Sequence, residues 1–299
     1  MGALAAAVRF NAWVTRPPAE QRLDEGALLI AELGDPRLDH RLAILQLDAF
    51  AAEIWATLGH AARLLNASQI GRRAAALRVL ETINDVLMTR HGFHGATDDY
   101  ANPRNSYLDQ ALERREGLPI TLSVIYLEVA RRLGAPLEGV GLPMRFMVRW
   151  PLAPEEGGPL YVDVSERGKI MDEATMRQTV QELIGALTRH QMRVGFIEEW
   201  ARTNDTRQIL TRMLQNLKLV FLQRGQTVLA LEVVERLTTL RPDLPEELRD
   251  RGLLRLAMGD PLLAAADITA YLDRNPDARD GARLRRRIES IREVRAKLN

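Results

Sequence analysis

The sequence predicts an α+β fold that is predominantly helical, with one small antiparallel sheet and a run of repeated helical hairpins. Three observations predict it. Apolar residues recur at helical spacing over most of the chain; two short runs, Arg145–Trp150 and Tyr161–Ser165, alternate instead; and the C-terminal third repeats itself at an interval of 34 residues.

The 299 residues are enough for two or three modules, here taken as 1–95, 96–195 and 196–299. Hydrophobic residues make up 46% and charged residues 27%, the balance of a globular chain. Forty-one Lys plus Arg against forty Asp plus Glu leave a net charge of +1, so no overall field draws the protein to nucleic acid or an anionic membrane. The chain has no cysteine. That excludes disulfides, thiolate metal sites and every cysteine nucleophile, and with them cysteine transglutaminase or cysteine protease chemistry.

Met1–Val14 lacks the basic start and long apolar run of a signal peptide and reads as a helix. No stretch approaches the roughly 18 apolar residues of a membrane span, so the expected location is cytoplasmic. From Asp24 to about Met88 the pattern is helical, broken at Pro17-Pro18 and at Gly34-Asp35-Pro36. Leu42, Ile44, Leu45, Leu47 and Phe50 recur at three to four residue spacings; Leu77, Leu80, Ile83 and Leu87 mark one apolar stripe. His91 to Arg104 is turn-rich and reads as a loop. A short helix, Ser106–Glu116, is expected to stop at Gly117. Pro119 opens an apolar helix through Leu133, because its missing N–H is no loss at the first helical position. Beyond Gly134, Phe146, Val148 and Trp150 alternate with Arg145, Met147 and Arg149, and the turn-rich Pro151–Pro159 joins them to Tyr161–Ser165 as a hairpin. A helix over Asp172–Ile184 closes the segment.

In the last third, Leu219 and Leu253, Leu222 and Leu256, Gly225 and Gly259, Ala230 and Ala264, and Pro242 and Pro276 recur at 34 residues. That period resembles tetratricopeptide repeats. Two repeats are fewer than such arrays need to stand alone, so the pair is expected to dock on the preceding module and to be capped by Arg279–Leu298.

Three further runs carry a wider resemblance: Asn102-Pro103-Arg104-Asn105-Ser106-Tyr107-Leu108, then Arg115-Glu116-Gly117-Leu118-Pro119-Ile120-Thr121-Leu122-Ser123, then Gly141-Leu142-Pro143. With the downstream Asp163 and Arg249-Asp250-Arg251-Gly252-Leu253-Leu254, they resemble the SirB1 family over roughly residues 70 to 285. That family is similar to the transglutaminase-like superfamily, which implies a papain-like triad of Cys at a helix start, His on a following strand and Asp on the next. The chemistry is coherent: a helix N-terminus lowers the thiol pKa, His takes the proton and a carboxylate orients the imidazole.

Counted back from Leu133-Gly134, the nucleophile position falls on Pro119, and an offset of two residues places Thr121 there. Where family members commonly carry Gly-His after Leu-Pro, this chain has Met144-Arg145. Of the triad, Asp163 alone matches. Threonine acts as a nucleophile only beside a base, and Arg145 cannot be one, so Thr121 and Ser123 are expected to be helix residues bonding locally to the backbone. Arg145 and Asp163 are expected to form a structural ion pair. The competing reading keeps Arg145, Arg149 and Asp163 as a binding site for an anion or a partner's carboxylate.

His91 and His94 with Asp98 and Asp99 are too few and too loosely spaced for a metal site; no metal or other cofactor is expected. Arg283, Arg285, Arg286, Arg287, Arg292, Arg295 and Lys297, interleaved with Glu289 and Glu293, read as a solvated helix face rather than a nucleic-acid surface. Trp13, Trp55, Trp150 and Trp200 are scattered packing anchors. The expected function is a non-catalytic adaptor binding an unidentified protein or peptide partner. The alternatives are a hydrolase or acyl transferase using Asp163 and Thr121, and, more weakly, a nucleic-acid-associated protein.

Overall fold

Spacing of four and then three residues puts Ala6, Phe10 and Trp13 on one face of the first helix, α1 (Gly2–Val14), and all three are fully buried. That face packs against the helix Thr227–Leu240, far along the chain, with Arg236 lying 6.0 Å over the Phe10 ring. The computed structural model describes residues 2–65, 72–142, 145–188 and 202–298. Its contacts gather into two units, Met1–Arg16 with Leu214–Asn299, and Pro17–Met213. This grouping differs from the segments 1–95, 96–195 and 196–299: α1 belongs with the repeats, and the helices after Pro17 belong with the sheet.

In the second unit, α2 (Leu23–Ala31), α3 (His40–Leu58) and α4 (Arg73–Asn84) precede a π-helical stretch, Asp85–Arg90. The buried face of α3 is Ala43, Leu47, Phe50, Ala51, Ile54 and Leu58. Leu42 and Leu45, which share the helical spacing of this run, are 69% and 62% exposed. The helical run His40–Ala61 is long and apolar enough to cross a membrane by length and composition, contrary to the expectation that no such stretch exists. It is amphipathic, and its buried face packs on the central helix described below.

The strand β1 (His94–Gly95) pairs in parallel with β2 (Glu116–Gly117), on either side of α5 (Leu108–Arg114). The stop expected at Gly117 falls instead at Arg115, which is left-handed at φ 61°. A non-glycine residue there costs about 1–2 kcal/mol. Arg115 offsets this by lying between two rings, 5.0 Å from Phe50 and 4.9 Å from Phe93.

Helix α6 (Pro119–Leu133) is buried on nearly every side and ends at Gly134, left-handed at φ 74°. It lies on a five-stranded antiparallel sheet of β3 (Glu138–Leu142), β4 (Arg145–Trp150), β5 (Leu160–Asp163), β6 (Lys169–Asp172) and β7 (Thr203–Asn204), in the order β6-β5-β4-β3-β7. The expected hairpin is β4–β5, with Val148 opposite Val162. The other sheet face carries Val140, Leu142, Met147, Tyr161 and Met171 against Met176 and Val180 of α7 (Glu173–Thr188). Both faces are therefore covered.

An ion network ties α2 and α3 to α6. Arg132 donates to Asp24 at 2.7 Å, Asp48 at 2.6 Å and Glu128 at 2.7 Å, and Arg22 adds a second contact to Asp24 at 2.6 Å. Burial alone would raise the Asp24 pKa, but the hydrogen bonds from Arg22 and Arg132 outweigh it and hold the carboxyl at about 2. Glu128 moves the other way, raised by burial and by the charge of Asp24.

The first unit stacks helical hairpins. α8 (Thr206–Gln223) crosses the division between units, and α9 (Thr227–Leu240), α10 (Pro245–Ala257), α11 (Pro261–Arg274) and α12 (Gly281–Leu298) follow. Ala230 and Ala264 are fully buried where helices approach, and Gly225 and Gly259 take left-handed turns between them. At Gly252 a Cβ would lie 2.6 Å from Ile268 Cγ1 and 3.1 Å from the Ala264 carbonyl, so α10 and α11 meet there in near backbone contact. Leu284 and Ile288 of α12 cover the last hairpin.

Candidate functional site

The motif runs around α6 turn out to be a brace for its N-terminus. Asn102 Oδ1 accepts from Arg104 N at 3.1 Å and starts a short 3-10 turn, Pro103–Ser106. Asn105 is buried: its amide donates to the Asp99 carbonyl at 2.8 Å, its Oδ1 accepts from Arg114 at 2.8 Å, and its carbonyl accepts from Leu118 N at 2.9 Å. Gly117 has no room for a side chain without pressing on Ala111 Cβ and the Asn105 carbonyl. These contacts fix Leu118 and hence Pro119 at the first turn of α6.

Asp163, 1% exposed, ends β5 and caps the turn Val164–Glu166, which packs against α6 and β1. Its Oδ1 accepts from Ser165 N at 3.1 Å, Ser165 Oγ at 2.6 Å and Glu166 N at 3.3 Å. Its Oδ2 accepts from Arg145 Nη1, and Arg145 also lies 3.6 Å from Glu166. The carboxylate is thus satisfied on both oxygens by the protein itself. Arg149, four residues along and on the same strand face, donates to Glu138 at 2.7 Å and 3.0 Å rather than toward Asp163.

Thr121 is fully buried and its hydroxyl has no hydrogen-bond partner among the described residues. Ser123 reaches across to the Phe146 carbonyl at 3.5 Å. The local backbone bonds expected for both are therefore absent among the described residues: α6 packs on β4, where Ser123 meets a strand carbonyl, while Thr121 is buried without a partner. His91 lies 2.7 Å from Glu53, and His94 lies 3.1 Å from the Gly95 carbonyl. Among the described residues no three or more of His, Cys, Asp or Glu gather as metal ligands. Met144, Trp200 and the side chains of Arg292, Glu293, Arg295 and Lys297 lie outside the described residues.

Three contributors are not singled out by the sequence. Ser165 and Glu166 follow Asp163 in an Asp-x-Ser-Glu run that is a capping pattern, so they carried a usable signal. Arg212 of α8 carried none. Its Nη2 donates to the carbonyls of Leu142 at 3.1 Å and Arg145 at 3.4 Å, and its guanidinium lies 5.4 Å over Phe146. Burial pushes its pKa down. Gly141 leaves the space that Arg212 occupies, since a Cβ there would overlap Arg212 Nη1 and Asn204 Oδ1 and make them shift.

In the first unit a groove is lined by Leu253, Leu256 and Ala257 of α10 and by Arg279, Arg283, Arg286 and Arg287 at and within α12. None of these four arginines pairs with a carboxylate among the described residues.

Residues 42–215 match the model of the transglutaminase-like superfamily, and residues 217–289 match that of the tetratricopeptide repeat. A UPF0162 protein of Xylella fastidiosa (strain 9a5c) is 39% identical over 197 residues, covering 66% of this chain and 68% of the relative. Protein SirB1 of Salmonella typhimurium is 26% identical over 214 residues, 71% of this chain and 76% of the relative. Human F-box only protein 21 is 32% identical over 176 residues, 54% of this chain but 28% of that protein. No solved structure matches the chain. With the superfamily model spanning more than half of the sequence and the repeats following it in order, the chain belongs to the SirB1 family of the transglutaminase-like superfamily and carries C-terminal tetratricopeptide repeats.

Proposed function

We propose that the protein is a non-catalytic adaptor of the cytoplasm, in which the transglutaminase-like unit is a scaffold and the repeats present a surface to a protein or peptide partner. The observation that carries this reading is the state of Asp163. Its carboxylate, which would orient a catalytic imidazole, is consumed by Arg145, Ser165 and the backbone of its own turn. Pro119 offers no nucleophile at the helix start, and Thr121 has neither a base nor exposure. In this reading Arg145, Arg149 and Asp163 are structural ion pairs and do not bind a ligand. Helical repeat surfaces commonly hold extended or helical peptides, and the arginine-flanked groove over Leu253 and Leu256 has the chemistry to take one.

The test is a turnover assay on amide, ester and acyl-transfer substrates with the wild-type protein and its Thr121→Ala and Asp163→Asn variants. No turnover above background by the wild type supports the proposal. Wild-type turnover that either variant loses while circular dichroism is unchanged overturns it in favour of non-cysteine chemistry at Thr121 and Asp163.

A further inference from the structure

Not every apolar residue of α3 reaches the core. Leu42 and Leu45 project outward from the first half of α3, 69% and 62% exposed. Beside Leu42 a groove of about 600 Å³ runs between α3 and α5, with Leu42, Ala43 and Leu112 among its apolar lining. Four carboxylates border it, Asp35, Asp39, Asp109 and Glu113, and no Lys, Arg or His lines it.

Elsewhere in this unit carboxylates are heavily paired: Asp24, Asp48, Glu128, Glu138 and Asp163 each meet an arginine. The four groove carboxylates pair with no cation among the described residues, and the hydrogen-bond donors they meet are neutral. Asp35 and Asp39 accept from the backbone of Arg37 and Arg41, and Asp109 and Glu113 share the Gln110 amide. Asp109 Oδ1 is buried and has no hydrogen-bond partner among the described residues. A lone carboxylate oxygen shielded from water is costly until a donor reaches it.

We infer that this groove is a docking surface for a basic amphipathic helix of a partner protein. Apolar side chains of that helix would seat on Leu42 and Leu112, and its Lys or Arg residues would reach Asp39, Asp109 and Glu113. Apolar floor and single-sign walls together select this occupant: a neutral apolar helix would leave the carboxylates uncompensated, and an acidic one would be repelled. The surface is separate from the repeats and from Asp163, so it extends the interaction reading to a second partner site in the transglutaminase-like unit.

The probe is a fluorescently labelled 18-residue Leu/Lys amphipathic peptide, with a Leu/Glu peptide of the same apolar pattern as its counterpart. Binding is read by anisotropy on the full chain. The Leu/Lys peptide is expected to bind and the Leu/Glu peptide not to. Asp109→Asn with Glu113→Gln should weaken binding at least tenfold, as should Leu42→Ser. The control Glu155→Gln with Glu156→Gln, at an exposed turn away from the groove, should leave it unchanged. Leu42 and Glu113 are exposed, so these variants are expected to keep the wild-type circular dichroism. Equal affinity for both peptides, or binding that the groove variants do not weaken, overturns the inference. So does a wild-type dimer that Leu42→Ser converts to monomer, because the occupant is then a second copy. Failure here with a partner still bound on the repeats removes the groove and leaves the adaptor proposal standing.

Discussion

Asp24 shows how much one residue can hold when burial and charge are both in play. It is fully buried, and Arg22 and Arg132 together keep its carboxyl at about 2. An unfolded aspartate titrates near 4, so the folded group binds its proton less readily than the unfolded one. The stability this gives is fully present above about pH 4 and is lost as pH falls through about 2. Asp24→Asn takes one of three carboxylates from Arg132 and leaves it Asp48 and Glu128, so it should cost roughly 1–3 kcal/mol at neutral pH. The urea midpoint of the wild type should drop between pH 4 and 2, while that of the variant, already lower, should change less over the same interval. An equal acid slope in both proteins would mean that other carboxylates control acid unfolding. None of this network is visible in the sequence, because Asp24 and Arg132 are 108 positions apart. Arg145 and Asp163, 18 apart on paired strands, came within reach of reasoning because the hairpin itself was legible.

At the scale of elements, legibility followed how much of the cause is local. Helix α6 declared itself because Pro119 starts it, Gly134 stops it and the residues between are nearly all apolar. Strand β4 alternated strongly enough to be read even though α7 covers its second face and buries Met147. Strand β3 was missed because its glycines hide the pattern. A Cβ at Gly139 would press on Phe146 and Ile209, and one at Gly141 on Arg212, so neighbours distant in sequence keep those positions bare. The end of α5 was misplaced for a related reason: Arg115 tolerates a left-handed backbone because Phe50 and Phe93 hold its guanidinium. The 34-residue repeat exposed Ala264 but not Gly252, whose counterpart one repeat earlier is Lys218. Lys218 is instead committed to Glu247 and Asp250 at 2.8 and 2.9 Å. Gly252→Ala should therefore overpack the α10–α11 contact against Ile268 and a backbone carbonyl. The expected cost is about 1–3 kcal/mol, read as a lower urea midpoint, and in an Ile268→Ala background, which lacks the opposing Cγ1, part of that cost should be recovered. No recovery would show that the helices separate freely at this point.

For the whole molecule, the arrangement that sequence order conceals is the membership of α1. Two repeats need end caps, because each helical hairpin leaves an apolar face open. At the C-terminal end α12 supplies Leu284 and Ile288. At the other, α1 packs its Phe10 and Trp13 face on α9, and the ring centroids of these two residues are 6.3 Å apart. Local patterning identified α1 as a helix, but nothing near it in the chain names a partner more than 200 residues away. The consequence is a prediction about where stability resides. Trp13→Ala removes the largest side chain of the cap and should cost roughly 3–5 kcal/mol of repeat-unit stability. Hydrogen exchange should accelerate in α1 and α9 through α12, because opening of these helices no longer has to break the cap. Exchange across Pro17–Met213 should stay as in the wild type, since α1 packs on α9 of its own unit. Acceleration spread evenly over both units would show that they open together and that α1 caps nothing in particular; acceleration confined to α1 alone would show that the repeats stand without it.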